Sequence, residues 1–137
     1  GGLISENNKG QCSKKYGGLY AYVERIEVVL TNGECLQTER LKKYALAKRA
    51  ADKSMEGDIY RKVIKLIKSN TTLIDKISND NKDQSGYPML AQAPRRETLD
   101  LMPVFFGAEG TLGIISEVIL FYDFNNNCPY DRSGTYY

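Results

Sequence analysis

Ile26, Val28 and Leu30 alternate with Glu27 and Val29, the two-residue period of a half-buried strand. The Asn32-Gly33 pair then leads into Glu34-Cys35-Leu36-Gln37-Thr38-Glu39. Asn-Gly between two β-prone runs predicts a hairpin with a type I′ turn, whose two central residues both need positive φ. The period changes after residue 40. Ile59, Val63, Leu66 and Ile67 fall at i, i+4, i+7 and i+8, and Arg61, Lys62, Lys65 and Lys68 fill the remainder, which predicts an amphipathic helix. Leu41 to Lys53, rich in Ala, Lys and Arg, predicts a weaker one. Thr72 and Asp75 have the form of a capping box around Ile74 and Ile77, predicting a short third helix.

Later segments are less periodic. A polar stretch, residues 78–88, gives way to a run through Ala93-Pro94 that fits either loop or helix. Thr98 to Phe106 reads as a short helix or turn holding Pro103, and Gly113 to Tyr122 as a returning strand rich in Ile, Val, Phe and Tyr. Residues 1–20 hold five of the twelve glycines, and the tail from Phe124 has turn composition; both predict loops. The order implies an α+β fold, a small antiparallel sheet with helices packed on one side.

At 137 residues and 42% hydrophobic, the chain is sized for one domain with a real core. The net charge of +2 makes no global demand for nucleic acid or an anionic surface. Charge is local instead. Residues 40–68 carry ten Lys and Arg against Asp52, Glu56 and Asp58, a net of +7. This is the signature of a solvated face on a helical segment, or of a patch that docks an acidic partner or nucleic acid. With only Tyr44 and Tyr60 interleaved, platforms for stacking single-strand bases are few, so nucleic acid is not the expected partner.

Cys12, Cys35 and Cys128 are widely spaced and odd in number, and the chain holds no histidine. That argues against a disulfide framework or a zinc site, and rules out a histidine-dependent triad, dyad or metal site within these residues. Neither a catalytic nor a metal-ligating set stands out. No apolar run reaches the ~20 residues of a membrane span, and the N-terminus lacks a signal-peptide apolar core; a cytoplasmic protein is the expectation.

Three glycines, Gly107, Gly110 and Gly113, precede the last strand at three-residue spacing. The dinucleotide fingerprint has different spacing and opens a helix, so a Rossmann site is rejected. A glycine turn before a strand serves either chain geometry or close approach to a ligand.

Four segments, in order, resemble one family. Residues 1–17 are similar, without gaps, to the G-G-x-I-x-x-N-x-x-G-x(5)-Y-G segment of FAD-linked oxidases and dehydrogenases, matching at Gly1, Gly2, Ile4, Asn7, Gly10, Tyr16 and Gly17. These are the vanillyl-alcohol-oxidase-type flavoproteins with PCMH-type FAD-binding domains, including D-lactate dehydrogenase, the glycolate oxidase FAD subunit and D-2-hydroxyglutarate dehydrogenase. Residues 25–38 resemble the hairpin that follows, residues 82–89 the K-N-x-x-G-Y segment, and residues 106–120 the G-S-E-G-T-L-G-I-I-T-E motif. Ala108 stands where the family usually has Ser, and Asp83 where Asn is common.

The resemblance implies that residues 1–137 are the second half of an FAD-binding domain, with a helical insertion at about 39–80. Gly1, Gly2, Ile4, Asn7, Gly10 and Gly17 would lie along the flavin and its chain. Gly107, Glu109, Gly110, Gly113, Ile114 and Ile115 would bring backbone and apolar surface against it, while Tyr16 is a core tyrosine or a cofactor neighbour. The implied partners are the first FAD subdomain, with its pyrophosphate loop, a substrate cap domain, and a small 2-hydroxy acid. The alternative is a non-enzymatic α+β module that docks an acidic partner or nucleic acid through residues 40–68.

Overall fold

The computed structural model describes residues 1–8, 18–79, 86–95 and 98–121. Its architecture is α+β. Strand β1 (Val23–Val29) is central to a three-stranded antiparallel sheet, flanked by β2 (Cys35–Gln37) and β6 (Ile114–Leu120). Ile26 and Val28 of β1 and Leu36 of β2 are buried, as alternation anticipates for one covered face; Val23, out of phase with them, is buried too, beyond a register shift between Val23 and Arg25. Thr38 extends the hairpin beyond β2: its amide and its hydroxyl both donate to the Ile26 carbonyl, and the hydroxyl accepts from the Ile26 amide. A fully buried hydroxyl is thereby satisfied on both sides.

The β1–β2 connection differs from the expected type I′ turn. Gly33 alone has positive φ, +85°; its amide donates to the Leu30 carbonyl, and the Leu30 amide donates to Glu34. This is the three-residue loop that ends in a left-handed glycine. Asn32 turns its side chain to the Glu34 amide instead of adopting positive φ. The N-terminal segment also departs from the loop expectation. Residues Gly2–Ser5 form a single helical turn, α1, that buries Ile4, and a 3₁₀ turn at Leu19–Tyr22 leads into β1.

Beyond the hairpin come strand β3 (Leu41–Lys42) and helices α2 (Lys43–Ala51), α3 (Met55–Ser69) and α4 (Thr71–Asn79). Ser54 caps α3 by accepting from the Gly57 amide, with Glu56 and Asp58 in the first turn, where negative charge favours the helix dipole. Arg61 donates to the Ala50 and Asp52 carbonyls at the end of α2, and Arg49 bridges Glu39 and Glu56. Helix α4 begins one residue before Thr72, its first amides donating to the Asn70 carbonyl, so Thr72 lies inside the helix and is not its cap. A second small sheet, in the order β3, β5 (Thr98–Leu99), β4 (Pro94–Arg95), joins this layer. Its two-residue strands are too short to show a period, and Pro94 lies on the edge, where no amide is required. Helix α5 (Met102–Phe105) completes the described elements before the glycine turn. Phe106 is fully buried and meets Tyr20 edge to face, ring centroids 5.1 Å apart. The tail from Tyr122 lies outside the described residues.

Two core positions in α3 yield contrasting predictions. A Cβ on Gly57 would collide with the Asp52 carbonyl and lie 2.9 Å from that of Arg49. Gly57→Ala should therefore lower stability in urea unfolding by ~1–3 kcal/mol, although the same change in an open helix gains ~1 kcal/mol. Tyr60 is fully buried, and its hydroxyl has no hydrogen-bond partner among the described residues. Burial, with Glu56 nearby, pushes that hydroxyl far above its usual range of ionisation. Tyr60→Phe removes an unsatisfied group and should leave the protein equally stable or more stable by ~1 kcal/mol, read as an unchanged or higher urea midpoint.

Candidate functional site

The two ends of the described chain meet backbone to backbone. The Gly107 amide donates to the Ile4 carbonyl at 3.2 Å, and the Glu109 amide to the Ser5 carbonyl at 2.9 Å. Asn7 leaves α1 in the left-handed region, φ +49°, which asparagine tolerates better than most residues. At Gly107, with φ +79°, a Cβ would lie 2.7 Å from Pro88 Cδ and 3.7 Å from Asn7 Cβ. The first, third and fourth resembling segments therefore converge at this glycine.

The turn that follows is compact. The Thr111 amide donates to the Ala108 carbonyl at 3.0 Å, and between them Glu109 and Gly110 both have positive φ, +50° and +78°. Positive φ at both central positions is the type I′ pattern. A side chain on Gly110 would meet nothing within 4 Å, and among the described residues no acceptor receives the Gly110 amide. Gly110 is exposed, so its amide is an unpaired donor at the surface. Gly113 has a different role: at φ +151°, a Cβ there would lie 2.6 Å from Val28 Cγ1 and 2.7 Å from the Val29 carbonyl. Only glycine lets the turn enter β6 against β1.

The isoleucines after the turn separate. Ile115 is partly buried against the core, with its carbonyl 3.2 Å from where a Cβ on Gly1 would sit, whereas Ile114 is 74% exposed. A β-bulge at Ser116, whose hydroxyl donates to Glu27, then brings Val118 inward as well. Beside α1 lies an open groove of about 500 Å³, lined by Gly1, Gly2, Leu3, Ile4, Glu6 and Leu19 with Val118 and Leu120 of β6. Its volume is within the range of small-molecule sites.

Of the residues singled out by sequence, Gly1, Gly2, Ile4, Asn7, Gly107, Glu109, Gly110, Gly113, Ile114 and Ile115 fall on or beside this junction. Gly10, Tyr16 and Gly17 lie outside the described residues. Tyr87 and Thr111 were not singled out, yet their hydroxyls are 2.8 Å apart and tie the third segment to the turn. The signal was present in the Gly-Tyr-Pro sequence, since a residue between Gly and Pro marks a turn.

The basic helices are largely self-paired where arginine is concerned: Arg40 meets Asp100, Arg49 meets Glu39 and Glu56, and Arg61 meets Asp58. Lys62 bridges Asp58, holding that carboxyl below its ordinary value mainly through its hydrogen bond. Among the described residues no group of His, Cys, Asp and Glu could hold a metal ion, and no helix is long and apolar enough to cross a membrane.

No family model matches the chain, and no solved structure matches it. Curated proteins do. The chain is 32% identical over 122 residues to a D-2-hydroxyglutarate dehydrogenase of Pantoea ananatis (strain AJ13355), and 29% identical over 121 residues to one of Pseudomonas putida. A third, of Escherichia coli (strain K12), is 30% identical over 122 residues. Each match covers 88% of this chain and 12% of the relative. The chain is thus related to D-2-hydroxyglutarate dehydrogenases over a segment that spans about an eighth of their length.

Proposed function

We propose that these residues are part of the FAD-binding domain, its second half, of a flavin-dependent dehydrogenase that oxidises a 2-hydroxy acid of the D-2-hydroxyglutarate type. The observation that carries this reading is the junction of α1 with the glycine turn, where the exposed Gly110 keeps an unpaired amide in a segment related to those dehydrogenases. The residues fit such a group. Backbone bare of side chains at Gly2 and Gly110 permits close approach, Gly110 supplies a donor for a polar chain, and exposed Ile114 supplies apolar surface for a ring.

FAD, when bound, supplies the redox chemistry, accepting a hydride from the hydroxyl-bearing carbon as the hydroxy acid becomes an oxo acid. This chain's share is positional. The hydrogen bonds from Gly107 and Glu109 fix the turn against α1, and the Gly110 amide orients a polar group with no reorganisation. The base that takes the hydroxyl proton is assigned to another part of the full-length protein, together with the pyrophosphate loop and the substrate cap, in keeping with a segment that spans 12% of the related dehydrogenases.

Two measurements test this. Full-length protein should purify with flavin absorption bands, and the isolated chain, without the pyrophosphate loop assigned to another part of the protein, should show no micromolar FAD site by calorimetry; a flavin-free full-length protein defeats the proposal. The glycines should separate function from folding. Gly110→Val enters open space at a strained φ, costing ~1–3 kcal/mol, and should lower flavin content more than stability. Gly113→Val drives into Val28 and the Val29 carbonyl and should lower the melting temperature first.

A further inference from the structure

Tyr87 has φ +57°, a conformation uncommon for any residue but glycine and costly for a bulky one. It also precedes Pro88, whose ring restricts the preceding residue to extended conformations. Such a backbone persists only where its surroundings determine it, and here two contacts do. The Pro88 ring occupies the space that a side chain on Gly107 would need, and the Tyr87 hydroxyl lies 2.8 Å from Thr111 Oγ1.

The direction of that hydrogen bond follows from proton counting. Thr111 has one hydroxyl proton, and it is given to the Ala108 carbonyl at 2.6 Å. Thr111 Oγ1 therefore accepts, and Tyr87 donates. The result is a relay from the Tyr87 hydroxyl through the Thr111 hydroxyl to the Ala108 carbonyl, which also receives the Thr111 amide. Both ends of the Ala108–Thr111 turn are tied together twice and anchored from outside by Tyr87. The Gly110 amide is carried between them.

We propose that Tyr87 is a positioning residue for the glycine turn, a hydroxyl latch that holds the closed turn, and with it the Gly110 amide, in place for a bound cofactor. The Thr111 amide and hydroxyl close the turn on the Ala108 carbonyl without help from Tyr87. What Tyr87 adds is a tie from the Gly86–Pro88 segment to the Thr111 end of the closed turn. Loss of the Tyr87 hydroxyl removes that outside tie and leaves the closed turn, with its Gly110 amide, free to shift as a unit. This inference rests on the assignment of the turn to a flavin site, and the experiment separates the two.

In full-length protein, flavin release into dilute buffer would be followed by recovery of free-flavin fluorescence for the wild type, Tyr87→Phe, Thr111→Val, Thr111→Ser and the Tyr87→Phe/Thr111→Val double variant. Melting of the flavin-free forms would be measured alongside. Loss of one such bond should speed release about three- to tenfold in Tyr87→Phe and Thr111→Val. Thr111→Ser, which keeps the hydroxyl, should release flavin at the wild-type rate. The double variant should release no faster than the worse single one, because both changes break the same relay, while the flavin-free forms melt within a degree or two of each other. Wild-type release rates in Tyr87→Phe, additive effects in the double variant, or failure of Thr111→Ser to preserve the rate would each overturn the latch while leaving the flavin site in place. A wild type without flavin overturns both.

Discussion

Two backbone hydrogen bonds, from Gly107 to the Ile4 carbonyl and from Glu109 to the Ser5 carbonyl, are the constraint on which the rest of the site depends. Each contributes a net of only ~0.5–1.5 kcal/mol, and they close a loop of more than a hundred residues. They cannot hold that loop by themselves. The closure is supplied by the sheet, where β6 returns beside β1, and by Phe106, buried next to Tyr20. Once β6 is in register, Gly113 sits on Val28 and the turn before it has one place to go. What the hydrogen bonds add is direction, since they fix which face of the 107–113 turn meets α1 and which stays open.

Glycine therefore has three separable functions within seven residues. Gly107 gives way to Pro88, Gly113 gives way to β1, and Gly110 gives way to nothing in the chain. Packing explains the first two without any ligand. It does not explain Gly110, whose positive φ is required by the turn but whose surroundings are empty and whose amide is free. Glu109 and Tyr87 add strain that the same packing sustains. Left-handed residues other than glycine concentrate where structure is held for a purpose beyond stability, and among the described residues all three, Asn7, Tyr87 and Glu109, border one junction.

Much of this was legible in the sequence where a period was long. The alternation at Ile26–Leu30 and the helical stripe from Ile59 to Ile67 both name real elements, because each repeats long enough to set a period, although in α3 Ile59, Val63 and Ile67 are only partly buried and Leu66 is exposed. Local chemistry misled in two places. Asn32-Gly33 promised a type I′ turn, but a longer loop let Asn32 bond Glu34 instead. Thr72 looked like a cap, but Asn70 already turned the chain. The second sheet had no period to read, its strands being two residues long and held by partners far away in sequence. The meeting of α1 with the glycine turn was equally invisible to periodicity. It entered only through resemblance, since a backbone hydrogen bond leaves no mark on residue type.

The basic helices show the same separation between composition and role. A net of +7 over residues 40–68 suggests a surface made for an anion, but the guanidinium groups are paired within the chain even where, as at Arg49 and Arg61, they stay partly exposed. Arg61 closes the carbonyl end of α2, Arg49 joins α3 to the segment before β3, and Arg40 reaches buried Asp100, which in turn accepts the Met102 amide at the start of α5. Arginine suits these positions because its planar fork serves two acceptors at once. Lys42, Lys48, Lys53, Lys65 and Lys68 are exposed, where a charge costs little and contributes little. Charge here is spent on tying helices α2 and α3 to the strand layer that ends at Leu101, Met102 and Phe106, and that layer is what delivers the chain to Gly107.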